Sequence, residues 1–214
     1  MSDRPIIFSG PMVRALLDGI KTQTRRILKP QPPPGLLPEC YAIPGEAQPV
    51  GTRWVRGDRL WVREAFMGFV IADDTGLPVG DRKALYRATD AGLTWFDPET
   101  ESTIDNPPWK PSIHMPRWAS RLTLTVTDVR LQRLHDISEE DALAEGVESC
   151  MTSRGRMWKA YGEPPNSWVE SARLSFARLW ETIHGSDAWN ENPWVVALTF
   201  TVEQRNIDAT GDAR

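Results

Sequence analysis

The stretch Gly19-Ile-Lys-Thr-Gln-Thr-Arg-Arg26 interleaves a lysine, two hydroxyls and two arginines, and the rest of the chain is arranged around it. Just upstream, Pro11-Met-Val-Arg-Ala-Leu-Leu-Asp18 is predicted as a short helix. Ser9 can cap it, Pro11 suits its first turn, and Gly19 can adopt the left-handed conformation that ends it. Downstream of Lys29, the run Pro30-Gln-Pro-Pro-Pro-Gly35 forbids helix and opens a loop to about Gln48. Residues 1–30 carry six cations, Arg4, Arg14, Lys21, Arg25, Arg26 and Lys29, against Asp3 and Asp18. That is +4 in a chain of net charge −4, so the other 184 residues sum to −8. Arginine forks match phosphate or carboxylate oxygens and hydroxyls add short hydrogen bonds, so the cluster can hold an anion. A solvated basic turn is the alternative.

Working outward, Arg53-Trp-Val55 and Arg59–Phe66 are expected as short strands separated by a Gly57-Asp58 turn, with another strand at Leu85–Ala88. Five prolines between 90 and 117 leave little room for regular structure there. From Arg121 to Leu134, Leu122, Leu124 and Val126 alternate with Thr123, Thr125 and Thr127, the period of a sheet with one buried face. Ser138-Glu-Glu-Asp141 opens a second helix that Gly146 ends. Residues 149–166 are expected as a mobile loop, with Trp158 and Trp168 at its flanks as a lid. A third helix is expected over about 167–184, where Val169, Ala172, Phe176, Leu179, Trp180 and Ile183 follow steps of three and four. Trp194–Val202 closes the domain as an apolar strand, and 203–214 is a polar tail. Short helices among non-local strands predict a single α+β domain over residues 5–202, built on a small mixed β-barrel with long loop insertions.

Composition bounds the function. With 214 residues, 40% of them hydrophobic and 25% charged, the chain is globular rather than disordered. A negative whole-molecule charge gives no general attraction for a polyanion, so any nucleic-acid contact must come from a local patch. No apolar run reaches membrane-span length and the first residues, Met1-Ser2-Asp3-Arg4, lack a signal peptide's pattern, so a cytoplasmic protein without membrane contact is expected. Cys40 and Cys150 lie far apart without CxxC spacing, and His114, His135 and His184 are scattered, so no metal site is expected. His184 is read as a helix-end residue whose positive form suits the dipole. Ten tryptophans outnumber six Phe and three Tyr. Trp180, Trp189 and Trp194 read as core or clasp, and Trp118, in a rigid loop beside Arg117, either as a surface on which a base can stack or as part of a loop plug packed on the barrel.

The segment Leu17-Asp-Gly-Ile-Lys-Thr-Gln-Thr-Arg-Arg26 resembles the G-x-K-T-x-T-x-R signature of the ASCH domain, a PUA-like β-barrel family. Further segments resemble its phage and prophage members in the same order: Gly57–Glu64, Trp109–Arg121, Leu134–Gly146, and Phe176–Trp180 with Trp189–Trp194. The resemblance covers about residues 5 to 202. It implies a short barrel with helices packed across its ends, and a cleft beside the signature that binds RNA or a modified nucleoside or nucleotide. One small branch of the family hydrolyses N4-acetylcytidine with a Lys, a Thr and a Glu. The first two match Lys21 and Thr24, and Glu145 is the best placement of the third, with Glu139, Glu140 and Glu148 close by. That branch is about half this length and lacks the Trp-rich segments.

If these side chains converge, Thr24 is a nucleophile, Lys21 its base once burial or a neighbouring cation lowers the lysine pKa, and Glu145 an acid or orienter, with no cofactor. Otherwise Thr22 and Thr24 are strand positions, Lys21, Arg25 and Arg26 anion contacts, and Glu145 a helix end. Thr22, Arg25, Arg26, Arg117, Trp118 and Glu64 are the candidate binding residues. Glu64 can point into the barrel mouth or form a surface salt bridge. A phage assembly or host-interaction protein using the barrel as a scaffold is the third function class.

Overall fold

A computed structural model of the chain describes residues 2–33, 52–72, 78–97, 102–104, 108–162, 164 and 167–209. In chain order its elements are β1 (Asp3–Ile7), α1 (Gly10–Leu17), β2 (Gln23–Ile27), β3 (Arg59–Arg63), β4 (Phe66–Ala72), β5 (Pro78–Tyr86), α2 (Arg87–Asp90), β6 (Trp95–Asp97) and β7 (Ser102–Ile104). There follow β8 (Thr123–Arg133), α3 (Glu139–Ala144), β9 (Ser149–Thr152), β10 (Gly155–Lys159), β11 (Trp168–Val169), α4 (Ala172–His184) and β12 (Trp194–Glu203). The fold is mixed α+β, mostly sheet with few short helices. The sheets have the orders β1-β3-β8-β12-β2, β11-β10-β9, β4-β5 and β6-β7.

The alternation in β8 does what its period dictates: Leu122, Leu124 and Val126 are buried, while Thr125 and Thr127 are half-buried. Thr123, between them, is buried as well and donates its hydroxyl to the Arg205 carbonyl at 2.9 Å. β12 is buried almost continuously from Trp194 to Leu198, as an apolar strand covered on both sides must be. Contacts gather the chain into two units. One comprises Asp18–Asp58 and Thr125–Thr201, the other Ser2–Leu17, Arg59–Leu124 and Val202–Arg214.

In the first unit β12 pairs antiparallel with β2, with Val196 opposite Arg26 and Leu198 opposite Thr24. α3 starts where Ser138 accepts the Asp141 N–H at 3.0 Å, and Gly146, at φ +81°, turns the chain out of it. In the second unit β1 runs parallel to β3, and Phe66, Met115 and Ala119 form a small buried cluster with Ala84 and Tyr86 against it.

Three expected elements differ. Arg53-Trp-Val55 is not a strand: Asp58 bonds back to Val55 through its backbone N–H (3.0 Å) and its carboxylate (3.2 Å), closing a turn where strand pairing would run. Leu85–Ala88 is divided, because Asp90 accepts the Tyr86 N–H at 2.7 Å and starts the short α2. Residues 149–166 contain a hairpin, β9 with β10, to which β11 adds. Its turn is closed by the Thr152 hydroxyl, which donates to the Gly155 carbonyl (2.9 Å), with Gly155 at φ +104°. Trp158 and Trp168 are thus paired strand residues, not the flanks of a lid. The third helix also begins later than the periodicity suggests, after Ser171, whose hydroxyl accepts the Leu174 N–H. Cys40 and most of the 30–50 loop lie outside the described residues.

Candidate functional site

In the first unit β2 exposes alternating side chains to opposite faces, so Gln23 and Arg25 share one face and Thr24 and Arg26 the other. On the first face Arg25 donates from Nη1 to Gln23 Oε1 (3.1 Å) and Glu145 Oε1 (2.9 Å), and from Nη2 to Asp141 Oδ2 (2.6 Å). Gln23 Nε2 and Arg130 Nη2 each donate to Asp141 Oδ1 at 2.9 Å. Burial of Asp141 favours its protonated form, but hydrogen bonds from Arg130 and Gln23 and the charge of Arg25 outweigh it and hold the carboxyl below its usual value.

Lys21 precedes β2 and is 1% exposed. Its Nζ donates to Glu145 Oε2 at 2.9 Å and to the Glu145 backbone carbonyl at 2.8 Å. Glu145 is the C-cap residue that follows α3, just before the Gly146 turn, so the ammonium satisfies a carbonyl that the helix leaves without a partner and meets the negative end of its dipole. Backbone bonds lock the junction: Thr22 N–H to the Ala144 carbonyl (2.8 Å) and Phe200 N–H to the Thr22 carbonyl (3.0 Å). Burial lowers the Lys21 pKa; Glu145 opposes this by charge and hydrogen bond, Arg26 and Arg25 add to it, and the net direction is down.

The structure therefore joins Lys21, Arg25 and Glu145 directly. Thr24 is buried on the other face of β2, and no hydrogen bond from its hydroxyl to Lys21 or Glu145 is seen among the described residues. Thr22 is exposed and Arg26 half-buried. Arg25 is turned inward to carboxylates of the protein itself. Of the alternative glutamates, Glu139 accepts the Ala172 and Arg173 N–H groups and the Ser171 hydroxyl, Glu148 pairs with Lys159 at 3.0 Å, and Glu140 is exposed.

The other candidates lie in the second unit. Glu64 is 1% exposed and gripped bidentately by Arg121, Nε to Oε1 at 2.9 Å and Nη2 to Oε2 at 3.0 Å. Arg121 in turn lies 3.9 Å from the Tyr86 ring centroid. The surface salt bridge expected for Glu64 is a buried one. Burial raises its pKa against the opposing effect of Arg121. Arg117 is held by Asp208, to which it donates from Nε and Nη2, and by Asp3 at 2.5 Å. Trp118 is 38% exposed and borders a cleft of about 580 Å³ with Phe66, Arg82, Lys110 and His114. Gly68 lies under the indole: a Cβ there would meet Trp118 at 3.4 Å.

The sequence marks Asp141 only through its place in a capping segment, and no local pattern marks Gln23, Arg130 or Arg121. The Ser-x-x-Asp spacing signals a cap, but nothing in it signals that the same carboxylate takes three external donors. His184 is also corrected. Burial, then the charges of Arg26 and Lys29, lower its pKa and favour the neutral imidazole over the helix-end cation. Among the described residues no helix is long and apolar enough to cross a membrane, and no three His, Cys, Asp or Glu side chains group as a metal site.

No family model matches the chain, and no curated protein does. Among solved structures, the chain is similar to the crystal structure of protein EF3133 from Enterococcus faecalis V583, described under the family model DUF984. The likeness covers 99% of this chain and 86% of that one, at 12% identity and a TM-score of 0.36.

Proposed function

We propose that the chain is an ASCH-type protein of the phage or prophage kind, with a PUA-like barrel, that binds RNA or a modified nucleotide beside Lys21–Arg26 and Glu145. The observation that supports this is the buried charge cluster itself. Lys21, Arg25 and Glu145 are each under 5% exposed, and a buried ionic cluster is weak evidence of a stabilising role, because apolar replacement often stabilises as well or better. A buried lysine whose pKa is lowered, at a signature segment, is a candidate site. The test is to incubate the purified protein with RNA and a panel of acylated and other modified nucleosides, measuring binding and following products by mass spectrometry. Saturable binding is expected to weaken on Arg26→Gln; an unchanged affinity would count against the reading.

A second reading, hydrolysis of N4-acylated cytidine, is favoured by the lowered Lys21 pKa, which moves the amine towards the neutral form a base requires. The reading requires the Thr24 hydroxyl, which lies on the other face of β2, to come within reach of Lys21; Thr24 Oγ1 would then attack the acyl carbon as Lys21 accepts its proton. The C–N bond then breaks, and that proton leaves with the exocyclic amine, with Glu145 orienting the lysine. Water hydrolyses the threonine ester to release the carboxylic acid and restore the hydroxyl. Turnover of N4-acetylcytidine that is abolished by Lys21→Ala and by Thr24→Ala supports this reading; turnover unchanged in either variant ends it.

A further inference from the structure

In the same unit as the Lys21–Glu145 cluster lies a second concave region of about 400 Å³. It collects basic groups from three separate stretches of chain: Arg26 on β2 and Lys29 just beyond it, Arg53 ahead of the Gly57 turn, and His184 at the end of α4. None of the described lining residues is acidic. These groups feel one another. The imidazole of His184 is disfavoured as a cation by burial first and then by Arg26 and Lys29, and Arg26 by burial and, against the attraction of Glu145, by Arg53. Lys29 and Arg53 are exposed, and neither forms an ion pair within the protein among the described residues. Arg53 Cζ lies 4.3 Å from the Trp54 ring centroid, a cation–π contact that sets the guanidinium against the indole.

A concave wall of like charges is unfavourable by itself and attracts an anion strongly, because the low-dielectric surroundings concentrate its field. Phosphate fits this donor set: two guanidinium forks, an ammonium and an imidazole N–H supply directional bonds to its oxygens. The volume falls within the roughly 300–1,000 Å³ of small-molecule sites, more than a bare phosphate occupies. Arg26 lines this cavity from the face of β2 opposite Arg25, and its charge is still felt at Lys21 and Glu145.

We propose that this cavity is a phosphate subsite, which holds the 5′-phosphate of a nucleotide. The inference rests on the nucleotide reading for the rest of the ligand, and inorganic phosphate tests it separately. His184 reports on the site. In NMR titrations of the full chain, with His184→Gln assigning the signal, inorganic phosphate and cytidine 5′-monophosphate should each raise the His184 pKa. The monophosphate should bind at least about tenfold more tightly than cytidine. The exposed double change Lys29→Gln with Arg53→Gln should remove that advantage and leave cytidine affinity unchanged.

A His184 signal unmoved by either phosphate, or equal affinity for cytidine and its monophosphate, overturns the subsite and leaves the nucleotide reading standing. Phosphate binding that shifts His184, with no nucleoside binding at all, keeps the subsite and defeats the nucleotide reading.

Discussion

Glu145 holds two buried cations at once, one on each carboxylate oxygen. Its replacement by alanine leaves Lys21 and Arg25 inside the protein without their shared counter-charge, and breaking a buried pair in this way costs about 3–5 kcal/mol. Urea unfolding of Glu145→Ala should show a loss of that size. A loss below about 1 kcal/mol would mean that the cluster opens to water. Two other carboxylates should bend the pH profile of stability in opposite directions. Asp141 has a folded pKa below its unfolded value, so its contribution is present above the usual aspartate range and is lost as pH falls through the folded value. Glu64 has a raised folded pKa, so the native state binds more protons in the window above its ordinary value, and stability declines as pH rises through it. Asp141→Asn should flatten the acid limb and Glu64→Gln should remove the decline; denaturant midpoints measured between pH 3 and 7 check both. At this scale the sequence located Lys21 and Glu145 through a signature and a helix-end spacing. It could not reveal Arg121 or Arg130, whose partners lie 57 and 11 residues away and leave no local pattern.

Between elements, the start of α4 is finished by another helix. Glu139, in the first turn of α3, accepts N–H groups of Ala172 and Arg173, while Ser171 supplies the local cap. A carboxylate at a helix N-terminus is favoured by both hydrogen bonding and the dipole. Glu139→Ala should therefore destabilise by about 1–2 kcal/mol, comparable with Ser171→Ala. Thermal unfolding of the two single variants and the double reads this, and strict additivity would contradict a shared cap. β8, α3 and the terminal strand were legible because caps and a two-residue alternation are local physics. The β9–β10 hairpin was not: Arg154 in its turn and Arg156 and Lys159 on β10 are polar and mask the pairing, and only the Thr152–Gly155 turn chemistry betrays it. The segment before Asp58 failed in the reverse direction, since its β-prone residues lost to a side chain that closes a turn.

For the molecule as a whole, the net charge of −4 sets how any RNA must bind. Attraction has to come from a few local cations, so the logarithm of affinity should fall with that of salt concentration at about 0.7 per phosphate contact on a single strand. A slope matching a few contacts, reduced by Arg26→Gln, is the expected result of fluorescence titrations over a salt series. A flat response would remove nucleic acid as a ligand. The α+β class was legible from the spacing of strands and short helices. The division of contacts into two units was not, because it depends on pairings between residues far apart in the chain. The second unit is assembled from Ser2–Leu17, Arg59–Leu124 and Val202–Arg214, and the first from the stretches between them. No single cut therefore liberates either one. A deletion series that trims from one end removes part of a unit while leaving its remaining strands without partners, so stable fragments should be rare in limited proteolysis. An experimenter wanting one unit alone would have to reconnect its pieces with designed linkers.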